Sequence, residues 1–253
     1  MAEPLLRVSN ASKRFPGGIE ALRGANLAIE GGEFICLIGA SGCGKSTLLR
    51  IIAGFEHQTE GDVVMLGKPV LGPGPDRGMV FQDYGLFPWL TVRGNIGFGP
   101  AERGKKQAEV AAIVDRFVAM MGLERFAEAY PHQLSGGMKQ RVAIARVLAN
   151  DARLALMDEP FGALDAMTRE RLQDELLAIW RATGLSVVFV THALEEAIYL
   201  ADRVVVMSPG PGRIVAEEII TLERPRDVSS PEFNAIRRRL AKLLHADHVK
   251  EAA

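Results

Sequence analysis

The 253-residue chain reads as an α/β protein with a mostly parallel central sheet, an antiparallel β-subdomain ahead of it and an inserted helical subdomain. Three observations predict this class. The apolar run Phe34-Ile35-Cys36-Leu37-Ile38 feeds a glycine loop, Gly39-Ala40-Ser41-Gly42-Cys43-Gly44-Lys45-Ser46-Thr47, and a helical run that stops at Gly54. Further short apolar runs, each ending on polar or acidic side chains, alternate with helical periodicity downstream. Between them, Ser135-Gly136-Gly137 opens a second helix on bare backbone.

In chain order, Leu5-Leu6-Arg7-Val8 and Ala25-Asn26-Leu27-Ala28-Ile29 read as paired strands of the antiparallel element, linked across Pro16-Gly17-Gly18. Phe15 at its tip is an aromatic that packs or stacks on a nucleotide base; taken alone, it reads as packing. The strand, glycine loop and helix at 34–53 form the context a phosphate site needs. Glycines let successive N–H groups converge on phosphate oxygens, and the new helix adds the positive end of its dipole. Lys45 reaches β- and γ-phosphates, and the Ser46 hydroxyl is placed for Mg²⁺. A bound nucleoside triphosphate follows, whereas the loop alone does not separate kinase, GTPase, motor and transporter ATPase.

Residues 61–67 read as a strand, and Met79-Val80-Phe81 as a short one ending on Gln82. If that strand and the phosphate loop share a parallel sheet, Gln82 stands at the carboxyl rim beside the γ-phosphate. Residues 84–95 read as a loop carrying Phe87 and Trp89, which either pack a subdomain or offer a docking surface. Val110, Ile113, Val114, Phe117 and Met121 mark one buried helical face that ends at Gly122. Ser135 caps the next helix, whose two opening glycines cost about 1 kcal/mol each relative to alanine, which argues for a second anion site. One phosphate loop and a separate serine–glycine helix start suggest that two chains each give half of a nucleotide site.

Leu154-Ala155-Leu156-Met157 is an apolar strand ending in Asp158-Glu159, a pair suited to holding Mg²⁺ and orienting the attacking water. The loop 161–165 leads to a helix with Leu172, Leu176 and Trp180 on its buried face, ended by Gly184. Residues 186–190 form a strand with Thr191-His192 at its end, on the rim that Gln82 and Glu159 occupy, so His192 reads as a γ-phosphate sensor. A hairpin follows at 203–216. Ser230 and Pro231 then start a helix with Phe233, Ile236, Leu240, Leu243 and Leu244 on one face and a basic Arg237-Arg238-Arg239 cluster. That helix reads as docked on its own domain in preference to a membrane surface.

The composition narrows the function classes. Net charge is −1 and 48% of residues are apolar, so no basic field points to nucleic acid. No apolar run spans a bilayer, and Met1-Ala2-Glu3-Pro4 lacks a leader pattern, so any membrane role is expected to come through a partner. Cys36 and Cys43 show neither metal spacing nor a disulfide framework and fit a reducing cytosol. Cys43, beside a helix start, is expected to be a low-pKa thiol if it is exposed in the empty state, in which case alkylation inactivates and MgATP protects.

Gly39 to Ser46, Leu134 to Gln140, Asp158-Glu159 and His192, in this order, resemble the nucleotide-binding subunit of an ABC transporter over nearly the whole chain. The resemblance implies a P-loop NTPase core at 1–82 and 151–229, a helical signature subdomain at 83–150 and a C-terminal helix at 230–253. It implies ATP and Mg²⁺ as cofactors, held by the loop 39–47, with Phe15 on adenine and Ser46, Gln82 and Asp158 as metal contacts. Glu159 would be the catalytic base and His192 the switch, with Lys45 and Gln82 completing the catalytic set. Ser135, Gly136, Gly137, Gln140 and Asp165 would meet ATP held by a second copy in a head-to-tail dimer. Phe15 departs from the pattern, in which tyrosine is commoner. The runs at 72–78, 87–92, 208–214 and 230–233 are similar to nitrate, sulfonate and taurine importer ATPases. Such a subunit would sit on the cytoplasmic face of the inner membrane with two permease subunits and a solute-binding protein, one permease helix docking near 82–95.

Overall fold

The computed structural model describes residues 3–162 and 164–250, with side chains to 244; Met1, Ala2, Ala163 and the last three residues of the expected C-terminal helix lie outside them. The chain divides into two compact units, residues 1–73 with 177–253, and residues 74–176. The boundaries expected from sequence at 82/83 and 150/151 fall inside the second unit.

The first unit holds two sheets. In one, β1 (Leu6–Arg14) lies between β2 (Glu20–Ile29) and β4 (Glu60–Met65), antiparallel to both, and the short β5 (Lys68–Pro69) pairs with β4. This is the expected antiparallel element, with both first strands longer than their apolar segments because polar residues such as Ser9 and Asn10 continue β1. In the other, β3 (Phe34–Gly39) runs parallel to β8 (Ser186–Val190) and β9 (Arg203–Ser208), and β10 (Arg213–Ile219) closes the edge antiparallel to β9. Every residue of β3 and β8 is buried, as expected for a parallel strand covered on both faces. Each large apolar side chain so buried contributes about 1.5–3 kcal/mol.

Helix α1 (Lys45–Ala53) leaves β3 through the glycine loop and ends on left-handed Gly54. Helix α6 (Leu194–Leu200) follows β8. Helix α7 (Pro231–Lys250) starts where expected, with Phe233 N donating to Ser230 Oγ at 3.2 Å. It buries Phe233, Ile236 and Leu240 against its own unit. Arg237 and Arg239 of the basic cluster pair with Glu195 and Glu218, which ties that face to acidic neighbours.

The second unit pairs β6 (Arg77–Val80) with β7 (Leu154–Asp158) in parallel. It adds α2 (Val92–Glu102), α3 (Gln107–Met120), α4 (Gly136–Ala149) and most of α5 (Ala166–Thr183). Helix α3 buries Val114 and Phe117 on the expected face, and Met121 after it is also buried. The loop expected over 84–95 ends early, because Thr91 caps α2 by accepting from Gly94 N, so Asn95 is helical. Among the described residues, no helix is long and apolar enough to cross a membrane.

Candidate nucleotide site

In the first unit the loop between β3 and α1 turns through positive φ at Gly42 (78°) and Gly44 (88°). Ser41, Gly42 and Ser46 are exposed, while Ala40 and Thr47 are half-buried. Gly44, the residue before α1, offers no side-chain cap, so the first N–H groups of α1 are left to a ligand or water. Lys45 is 5% exposed, and its Nζ donates to Gly39 O at 2.8 Å and Ala40 O at 3.0 Å, with Cys43 Sγ at 3.7 Å. The ammonium is thus folded across the loop it belongs to. Cys43 is fully buried, so the exposure on which its expected reactivity depends is not met. Cys36 is buried too, and loss of hydration pushes its thiol well up.

The loop is buttressed by backbone from elsewhere in the same unit. A Cβ on Gly212 would lie 2.1 Å from Cys43 O, and one on Gly44 would lie 2.5 Å from Ala21 O. Gly212 N also donates to Ala21 O at 3.2 Å, and Arg23 N to Gly212 O at 2.9 Å. In the sequence Gly212 stands in a proline–glycine turn; its contact with position 43 is a tertiary one that no local pattern displays. Gly212→Ala is expected to push on the loop carbonyl, an overpacking cost of about 1–3 kcal/mol, and to weaken MgATP binding about tenfold or more. Gly31→Ala, where a Cβ meets nothing within 4 Å, is expected to leave affinity unchanged when both are measured by calorimetry.

The parallel register of β3 with β8 pairs Leu37 with Val190, so exposed His192 stands abreast of Gly39. Thr191 is buried and bonds Leu37 O through its N–H at 3.2 Å and Ala193 N through Oγ1 at 3.0 Å, which fixes the strand exit. Phe15 is half-buried at the end of β1, with Lys13 Nζ 5.0 Å from its ring centroid. One face of that ring is covered by its own chain.

In the second unit, β6 and β7 pair Val80 with Met157, and the same register carried two residues on sets Gln82 abreast of Glu159. Both approach Gly162, where a Cβ would lie 3.5 Å from Gln82 Nε2 and 3.8 Å from Glu159 Oε2. Glu159 holds φ of 47°, a left-handed conformation that a residue with a Cβ adopts at a cost of about 1–2 kcal/mol. Gly162 N donates to Glu159 O at 3.1 Å and closes that turn. Asp158 is half-buried at the strand end.

Ser135 caps α4, accepting from Met138 N at 3.3 Å, and is exposed. Gly136 and Gly137 form the first turn, and α4 opens beside a cavity of about 560 Å³ that also touches Phe126, Arg141, Asp165 and Glu175. Asp165 is exposed and caps α5, its Oδ1 accepting from Thr168 N at 3.0 Å; that bond holds its carboxyl below the ordinary aspartate range. Gln140 is only 2% exposed, and neither its amide nitrogen nor its amide oxygen has a partner. Ser46 Oγ in the first unit and the Asp158 carboxylate in the second are each a hard oxygen donor, the donor type that Mg²⁺ prefers.

The family model described as ABC transporter matches residues 22–162. An uncharacterised ABC transporter ATP-binding protein of Methanocaldococcus jannaschii is 52% identical, over 97% of this chain and 93% of its own. The nitrate import ATP-binding protein NrtD of Synechocystis is 51% identical, over 85% of this chain and 80% of its own. The taurine import ATP-binding protein TauB of Jannaschia is 42% identical, over 94% and 93%. Among solved structures, cbiO1 of Clostridium perfringens, part of the cbiONQ transporter complex, matches with a TM-score of 0.80 at 27% identity, covering 99% of this chain and all of its own. A dimeric ATP-binding cassette in a post-hydrolysis state, bound to ADP and Pi, matches with a TM-score of 0.72 at 34% identity, covering 86% of this chain and all of its own.

Proposed function

Because the chain belongs to the ABC transporter family of ATP-binding proteins, we propose that it is the ATP-hydrolysing subunit of an importer for a small anion such as nitrate, an alkanesulfonate or taurine. The observation that carries the hydrolytic reading is the register that sets Gln82 abreast of Glu159 at the ends of two parallel strands. A chain that only bound nucleotide would have no need of a carboxylate held there in a strained backbone.

In this reading Lys45 exchanges its bonds to Gly39 O and Ala40 O for phosphate oxygens, and the N–H groups of 42–46 close around them. Ser46, Gln82 and Asp158 would hold Mg²⁺, which would offset charge on the β- and γ-phosphates. Glu159 takes the proton of a water in line with the γ-phosphorus, and Gln82 and His192 contact the γ-phosphate. Phe15 offers adenine its uncovered face. Ser135, Gly136 and Gly137 meet the phosphates of ATP held by a second copy, and Asp165 lies on the joining surface. The dimer closes on ATP and opens after hydrolysis. One permease subunit docks on the segment 82–95 of each copy, with a solute-binding protein beyond the pair, so the subunit sits peripherally on the cytoplasmic face of the inner membrane.

A tagged Glu159→Gln chain, loaded with MgATP and recovered from gently solubilised membranes, tests the assembly. Copurification of a multispanning subunit and a solute-binding protein is the expected result, and binding assays on the latter identify the anion. Recovery of soluble partners alone would replace the importer with a soluble ATPase of the same family.

A further inference from the structure

The segment 82–95 is gripped at two points within its own unit. From α2, the fully buried Asn95 accepts from Phe87 N at 2.8 Å and donates to the carbonyls of Phe87, Leu90 and Thr91 at 3.0–3.1 Å. From α4, Arg146 donates to Gly85 O at 2.6 Å and Tyr84 O at 3.4 Å, and its guanidinium sits 5.4 Å from the centroid of Phe87. Phe87 in turn packs on Trp89 at 5.5 Å and on Phe98 at 4.5 Å. Trp89 is 69% exposed, so this aromatic cluster has a free outer surface. The turn that Arg146 holds is strained at Tyr84, whose φ is 66°, beside a glycine at 55° that takes this conformation freely. Tyr84 reaches the other end of α4, where a Cβ on Gly136 would lie 3.3 Å from its hydroxyl.

We propose that Arg146 is the positioning residue that couples the Phe87–Trp89–Phe98 surface to the Ser135–Gly136–Gly137 start of α4, so that a shift at either end moves the other. A helix transmits displacement along its axis because its hydrogen bonds keep the rise per residue fixed. Arg146 lies three turns along α4 from Ser135, and its planar fork engages two carbonyls and a ring at once, which a lysine ammonium cannot do. Desolvation holds its pKa below that of free arginine, in keeping with a guanidinium enclosed by the turn it grips. The left-handed Tyr84 turn supplies an element with a second, relaxed conformation available once the grip loosens. The proposal deepens the reading above and rests on it: ATP held by a second copy acts on one end of α4 and the docked membrane subunit on the other.

The two tryptophans report on this directly, since Trp89 lies in the aromatic cluster and Trp180 packs on Phe34 in the other unit. In ¹⁹F spectra of the full Glu159→Gln chain labelled with 5-fluorotryptophan, MgATP is expected to shift the Trp89 resonance. Adding Arg146→Met is expected to abolish that shift while MgATP affinity and the ATP-induced dimer mass stay within twofold of their values; the twofold window, about 0.4 kcal/mol, is that of a distant site. Arg146→Lys, which keeps the charge and is the safer variant for folding, is expected to retain only part of the shift. Persistence of the full shift in either variant, or its absence from a Glu159→Gln chain that dimerises on MgATP, overturns the coupling role. A chain that binds MgATP without dimerising overturns the two-copy reading instead, and the proposal falls with it.

Discussion

Glu159→Gln is expected to lower ATP turnover by about 10²–10⁴-fold, the range a positioned general base supplies, while leaving MgATP affinity close to that of the unaltered chain. The amide matches the carboxylate in shape and keeps the backbone where it is, but it cannot accept the proton of the attacking water. Steady-state phosphate release measures the first effect and calorimetry the second. Retention of rapid turnover would remove Glu159 from the base role. A second substitution separates chemistry from strain. Because Glu159 sits at φ of 47°, Glu159→Gly is expected to be at least as stable as the parent while equally inactive, the left-handed cost of about 1–2 kcal/mol being relieved in a residue without a Cβ. Stability gained and activity lost at one position is what a backbone strained for function predicts.

Much of this was legible in the residues, for reasons that differ by element. β3 and β8 are unbroken apolar runs because both of their faces are covered, and the phosphate loop follows from glycine, lysine and hydroxyl spacing on such a strand. Helix α2 was not legible. Its sequence, with three glycines and Pro100, is depleted in helix formers, and what holds it is packing: a Cβ on Gly99 would lie 2.1 Å from Asn150 Oδ1. The burial of Cys43 was not legible either. Its place beside a helix start argued for reactivity, yet its Sγ is enclosed by the very loop that made it look exposed, with Lys45 Nζ 3.7 Å away. Gln140 belongs to the motif by sequence but faces inward, since a motif match fixes identity and spacing and not the direction of each side chain. Arg146 and Gly212 act on residues about 60 and 170 positions away in the chain, and contacts of that separation leave no periodic trace.

Arg226→Met is expected to destabilise the fold by about 3–5 kcal/mol, because several buried carbonyls lose charge-assisted hydrogen bonds of about 1.5–3 kcal/mol each, less the desolvation cost of the charge that leaves with them. Arg226 is 6% exposed and donates to backbone carbonyls. Nε bonds Leu222 O at 3.0 Å, one terminal nitrogen bonds Ile198 O, Tyr199 O and Ala201 O, and the other reaches Ile220 O at 3.3 Å. Three of these carbonyls belong to the last turn of α6 and the residue after it, where a helix leaves acceptors unsatisfied and a cation meets the negative end of the dipole. Burial lowers the guanidinium to about 10, and the neighbouring Arg224 adds to this, but a group at that value stays charged at any physiological pH. Methionine fills comparable volume and supplies no donor, so the carbonyls pay the loss. For a chain of this size the change corresponds to a fall in Tm of roughly 10 °C, read by calorimetry or circular dichroism. Arg226→Lys, with a single ammonium in place of the fork, is expected to recover less than half of it. The consequence reaches function through β8: α6 begins two residues after His192, so loosening its far end frees the strand exit that sets that side chain beside the phosphate loop. The variant is therefore expected to lose nucleotide turnover before it unfolds, with the loss appearing a few degrees below the thermal midpoint; turnover that tracks the folded fraction alone would confine Arg226 to stability.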